Sequence, residues 1–136
     1  MKHLLFGGAR LDSAVADLGL LILRVFAGVS LALAHGFGKL PPSAGFMKGV
    51  QDLGFPAEAA WLSAFAETVG GLSLAGGFLT RPAALLITIN LSVAGFLRHA
   101  SDPYPRKELP FLFLAVAVMF LLVGAGRYSI DRLLRK

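Results

Sequence analysis

The sequence predicts an all-α protein, a four-helix transmembrane bundle with short interfacial segments, on three observations. Of its 136 residues 56% are apolar and only 15% charged, against about a quarter charged in a soluble domain. The apolar residues gather in four runs, each near the ~20 residues that a helix needs to cross hydrocarbon. The last run, "LPFLFLAVAVMFLLVGAG", carries no charge and lacks the polar face that a soluble bundle needs on each helix. The spans must be helices, because an open strand would leave backbone groups unpaired in lipid.

The spans cover about residues 18–37, 59–79, 82–97 and 109–126 of a single membrane domain. Ahead of them, "MKHLLFGGAR" starts basic, but its apolar stretch is short and broken by glycines. No small-residue cleavage site follows, so the segment is expected to be retained rather than removed as a signal peptide. After the first span, "GFMKGVQDLGF" puts Phe46, Val50 and Leu53 on one face, as in a short helix lying on the membrane surface. The tight turn "LTRPA" makes the second and third spans antiparallel neighbours, with Thr80 as a cap and Pro82 in the first turn. In "RHASDPYPRKELP" two prolines stop a helix from continuing before Glu108. The end, "RYSIDRLLRK", reads as a basic interfacial tail.

Four crossings place both termini on one side. That side holds seven basic residues (Lys2, Arg10, Arg81, Arg127, Arg132, Arg135, Lys136) against five on the other (Lys39, Lys48, Arg98, Arg106, Lys107). The excess predicts a multi-pass plasma-membrane protein with cytoplasmic termini. The net charge of +5 sits between and after the apolar runs, a membrane arrangement and not a nucleic-acid face. With no cysteine, disulfides, thiol catalysis, thiolate metal sites and iron–sulfur clusters within the chain are excluded.

Ionisable residues inside a span cost roughly 2.5–3.5 kcal/mol each on insertion scales and usually face the protein interior in pairs. Arg24 lies well within the first span and Glu67 well within the second, which predicts a buried ion pair between them. Arg24, Gly28, Leu31 and His35 share one helix face, as do Thr88, Ser92, Gly95 and His99 on the third span. Helix direction brings His35, His99 and Glu108 to the same end. They are expected to form, with Glu67, a pocket for a small polar–aromatic molecule such as a quinone head group. His35, Glu67 and His99 are the candidates for catalysis, with histidine exchanging protons near neutral pH. Arg24, Lys39 and Glu108 are the candidates for substrate binding. The plainer alternative makes the cations interfacial residues that meet lipid headgroups.

Two histidines and two carboxylates could hold a divalent metal, but no Glu-x-x-His pair sits on one helix. No metal ligands are therefore assigned, and a bis-histidine haem has no further support. Asn90 lies about 180° around its helix from His99 and is expected to serve another contact. Small residues four apart (Gly28, Ala32 and Gly36; Ala66 and Gly70; Ser73 and Gly77) let helices approach closely, within the chain first and otherwise in a homo-oligomer.

"LRVFAGVSLALAHGFGKL", "GFP", "AETVGGLSLAGGFLTRPAAL", a histidine after the third span and "GAGRYSID" resemble, in order, the DoxX family of small integral membrane proteins. The resemblance covers nearly the whole chain. It implies a four-helix membrane fold and positions matching at Arg24, His35, Lys39, Glu67, Gly70, Gly71, Thr80, Arg81 and His99. The family takes its name from the smaller subunit of a thiosulfate:quinone oxidoreductase. Relatives include oxidoreductases, membrane partners of redox-stress complexes and assembly factors for membrane proteins. The expectation is thus a membrane subunit of a quinone-linked or redox-stress system, working with a redox partner protein. A non-catalytic scaffold or assembly factor is the alternative. Lacking cysteine, the chain cannot by itself perform thiol-based sulfur chemistry.

Overall fold

The computed structural model describes residues 12–135, so the expectation for residues 1–10 falls outside it. Every element among the described residues is helical. Helix α1, Ala14–Ser30, runs on through a π-helical segment, Leu31–Gly36, and a 3₁₀ turn, Phe37–Lys39. A short α2, Ala44–Asp52, precedes α3, Ala59–Gly76. Helix α4, Thr80–Ser92, also ends in a π segment, Val93–Arg98. Helices α5, Tyr104–Val123, and α6, Ile130–Leu134, complete the order.

The helix ends follow local chemistry. Ser13, Ser43 and Ser129 cap α1, α2 and α6 by accepting backbone N–H groups of Ala16, Phe46 and Arg132, the usual service of a hydroxyl at this position. Helix α3 stops at Gly77, whose left-handed φ of 68° suits glycine. Thr80 does not cap α4 as expected. It lies inside the first turn with its hydroxyl unpartnered among the described residues, and Asp131 of α6 accepts the N–H groups of Leu79 and Thr80 at 2.8 and 2.9 Å instead. Helix α5 starts at Tyr104, five residues before the expected 109. Pro105 falls in its first turn, where the missing N–H has no helical partner to lose.

Helix α3 packs against α1 and α4, and α4 against α5. The apolar core joins Leu31, Leu74, Ala84, Ile87, Leu91, Ala117 and Phe120 from all four long helices. The close approaches are made by glycine. A Cβ on Gly28 would strike the carbonyl oxygen of Gly71, and one on Gly36 would strike Thr68, so these small residues are used between α1 and α3 within the chain.

The exterior inverts the soluble pattern. Val15, Ile22, Phe26, Leu33, Phe65, Ile89, Phe96, Leu112 and Leu122 point outward, while Asp17, Arg24, Glu67, Thr68, Thr80 and Asp131 are buried. Two helical stretches, Ala14–Lys39 of 26 residues and Thr80–Arg98 of 19, are long and apolar enough to cross a membrane.

Candidate functional site

A cavity of about 420 Å³ opens between α2, α3 and α4, at the end of the molecule where α1 finishes. The apolar face of α2 forms its roof: Phe46, Val50 and Leu53, assigned from sequence to one face, all line it. Its walls are otherwise mainly apolar, and its polar lining comes from Lys39, Ser63, Glu67, Asn90, Arg98 and His99. At the floor, Glu67 Oε2 accepts a hydrogen bond from Lys39 Nζ at 2.6 Å, and Oε1 accepts one from Asn90 Nδ2 at 3.0 Å. The Glu67 side chain is 5% exposed and that of Lys39 32%. The carboxylate is therefore a deep group held from both sides, and the ammonium is the partner that reaches the open space. Lys39 Nζ also stands 5.4 Å from the centre of the Phe46 ring, within cation–π range.

Arg98 and His99 stand at the mouth. The Arg98 guanidinium rests against Gly49 of the roof, where a side chain would collide with it. His99 Nδ1 lies 2.7 Å from Asp102 Oδ2. The His99 hydrogen bond is the main cause holding the Asp102 carboxyl below its ordinary range, with Arg106 and Lys107 adding to it.

Three of the six sequence candidates, Lys39, Glu67 and His99, thus share the cavity, and three do not. His35 is half-buried and meets Phe113 of α5 edge-on, ring centres 5.8 Å apart. Glu108 is exposed on α5. Arg24 lies roughly 22 Å from Lys39 along α1 at 1.5 Å per residue, at the other end of the molecule. The expected ion pair between Arg24 and Glu67 is not formed. Arg24, 1% exposed, donates to the carbonyl oxygens of Ala125 at 3.0 Å and Tyr128 at 2.7 Å.

Asn90 is the cavity residue that sequence reasoning placed elsewhere. The cause is the π segment Val93–Arg98, closed by a bond from the His99 N–H to the Ala94 carbonyl five residues back. A wider i→i+5 turn breaks the 100° step on which the placement rested, so Asn90 and His99 meet the same space. The π segment in α1, closed from Phe37 to Ala32, likewise turns His35 away and Lys39 in. The first segment ends three residues before Lys39 and the second ends at Arg98, and π turns recur at functional sites.

At the opposite end the stretch 124–131 forms a clasp. Besides binding Arg24 and capping α4, it receives Asp17, which accepts the Arg127 N–H at 2.8 Å and lies 3.4 Å from Arg127 Nε. Among the described residues no three His, Asp or Glu side chains converge as metal ligands.

Outward apolar side chains and inward charges define a small helical membrane protein, with a polar-floored cavity at one end. The chain belongs to the DoxX family, which residues 19–100 match. It is 35% identical over 124 residues to "Inner membrane protein YqjF" of Escherichia coli (strain K12), covering 88% of this chain and 95% of that protein. It is 34% identical over 86 residues, 60% of this chain and 57% of the other, to an "Uncharacterized protein" of Haemophilus influenzae. It is also 26% identical over 116 residues to "Putative oxidoreductase CatD" of Bacillus subtilis (strain 168), covering 85% of this chain and 86% of that one. No solved structure matches the chain.

Proposed function

We propose that the protein is the membrane subunit of a quinone-linked oxidoreductase system, crossing the plasma membrane with α1, α3, α4 and α5 and binding a quinone-like molecule beneath α2. The observation that carries this reading is the chamber of about 420 Å³ with Glu67, Lys39 and Asn90 at its floor. Largely apolar walls with a few convergent polar groups are the mark of a small-molecule site. Ionisable groups at membrane depth are costly and are kept where they serve a function. The apolar walls suit a substituted ring, and the N–H donors at the floor suit its carbonyl oxygens. The name of the Bacillus relative points the same way. Electrons come from a partner protein or a bound cofactor, because the chain has no cysteine to carry them.

The scaffold alternative, docking partner helices through small-residue faces, draws less support, since Gly28, Gly36 and Gly71 already serve contacts inside the chain. Thermal unfolding in lipid nanodiscs tests the quinone reading. A ligand that binds only the folded state raises the midpoint, so duroquinone is expected to raise it in a saturable way. An unchanged midpoint at every soluble concentration discards the reading.

A further inference from the structure

We infer that the cavity selects the oxidised ligand, a quinone whose carbonyl oxygens accept hydrogen bonds, over the corresponding quinol, whose hydroxyl groups must also donate. This rests on the quinone reading above and follows from which bonds the cavity lining has already made.

Glu67 is the one carboxylate in that lining, and each of its oxygens holds a bond, from Lys39 and from Asn90. At 5% exposure it sits behind those partners, whereas Lys39, at 32%, faces the open space. An ammonium carries three N–H donors and a side-chain amide two. Lys39 therefore keeps donors beyond the one given to Glu67, and Asn90 keeps a second N–H. At the mouth, the Arg98 guanidinium with its fork of five donors makes no hydrogen bond or ion pair among the described residues. Each Glu67 oxygen keeps a further lone pair, but the carboxylate is covered by its two partners while the charged donors face the open space.

A quinone oxygen arriving at the floor meets a cationic donor without breaking any existing bond. A quinol hydroxyl must find an acceptor. It must reach past Lys39 and Asn90 to the covered Glu67 carboxylate, or settle for an uncharged acceptor: the Ser63 hydroxyl, the Asn90 carbonyl or a bare His99 ring nitrogen. Charge-assisted bonds are about twice as strong as neutral ones, so the oxidised form binds more tightly. A site with this preference lets the quinol go once it is formed.

The test measures both forms calorimetrically, in nanodiscs under argon: duroquinone, and duroquinol pre-reduced with borohydride. Duroquinone is expected to bind at least about tenfold more tightly, the equivalent of one charge-assisted hydrogen bond. Equal affinities, or tighter quinol, overturn the inference and leave the quinone pocket standing. Binding of neither form overturns the pocket as well. The double variant Lys39→Met with Glu67→Met removes both charges together, so no lone buried charge remains; it is expected to shrink the preference to what Arg98 supplies, and an undiminished preference overturns the assignment to Lys39. Arg98→Gln, at the exposed mouth and outside the core, is the variant least able to disturb folding. It is expected to weaken quinone binding severalfold and quinol binding less, and an equal loss for both forms overturns the donor argument.

Discussion

Arg24 was recognisable as an interior residue from its position in an apolar run, and so was Glu67; both are buried, at 1% and 4% exposure. Their partners were not recognisable, because spacing fixes the face of a helix and says nothing of what folds back onto it. The two carbonyls that hold Arg24 follow α5, one hundred residues and more along the chain, and backbone acceptors leave no mark in a sequence. Replacing Arg24 by Met should strip both acceptors of a charged donor and lower stability by about 3 kcal/mol, read as a fall in the thermal midpoint in detergent. The cap of α4 gives a sharper contrast. Asp131→Ala removes the acceptor for two backbone N–H groups and should cost about 1–2 kcal/mol. Thr80→Val discards a buried hydroxyl that bonds to nothing among the described residues and should leave stability unchanged or raised, although the sequence alone favoured Thr80 as the cap. His99 and Asp102 supply a pH signature. The Asp102 carboxyl is held below its ordinary value chiefly by the His99 hydrogen bond. A depressed folded value means that the stabilisation is complete above the unfolded carboxylate pKa of about 3.9 and is lost as pH falls through the folded one. Amide exchange at residues 99–102 should therefore stay slow down to about pH 4 and quicken below it. In His99→Gln, where the main cause of the depression is gone, the quickening at low pH should be smaller and exchange already faster at neutral pH.

The π segments decide how far the cavity could be read from a sequence. Up to Leu31 the stripe on α1 keeps its period, since Arg24, Gly28 and Leu31 are all buried; beyond it the register slips, and the candidate that enters the cavity is Lys39 rather than His35. On α4 the same slip admits Asn90. Period counting is sound only within a uniform helix, and no residue type announces a π turn, so the helices themselves were legible while half of the site was not. The amphipathic face of α2 was legible because its period is unbroken, though it covers a cavity where a membrane surface was expected. If the π turn is what aims Lys39, deleting the exposed Ala34 should restore α-helical winding and swing residues 35–39 by about 100°. The loop 40–43 can absorb the change. Circular dichroism should show the helix content kept. Duroquinone should no longer raise the unfolding midpoint, and the midpoint itself should fall because Glu67 is left buried without its cation. A deletion variant that still responds to quinone would show that the turn is incidental. The seam between α1 and α3 carries a separate consequence. Gly28→Val drives a side chain into the Gly71 carbonyl and should destabilise by about 1–3 kcal/mol, visible in the same melts.

Taken entire, the molecule puts its charges in and at its ends and its large apolar groups out, a distribution stable only where the surroundings are apolar. By composition the case is strongest for Ala14–Lys39 and Thr80–Arg98. Helix α3 is diluted by small residues around Glu67, and α5 opens with Arg106, Lys107 and Glu108. Yet α3 and α5, at 18 and 20 residues, rise roughly 27 and 30 Å at 1.5 Å per residue, close to the thickness of hydrocarbon. They also pack between or beside the two more apolar helices, so on the reading proposed above all four lie in one membrane. On the four crossings proposed, the chain returns to its starting side, and seven basic residues against five predict that side to be cytoplasmic. A chain without cysteine allows a clean check, since each introduced thiol is the sole target of a maleimide. Asp12, Ser101 and Arg135 are all exposed and lie outside the long helices. A membrane-impermeant maleimide should label Ser101→Cys in spheroplasts, and should reach Asp12→Cys and Arg135→Cys only in inside-out vesicles. Reversed sides for all three would invert the orientation and keep the four crossings. Asp12→Cys and Arg135→Cys labelled from opposite faces would mean an odd number of crossings, and the bundle as drawn could not sit in a bilayer.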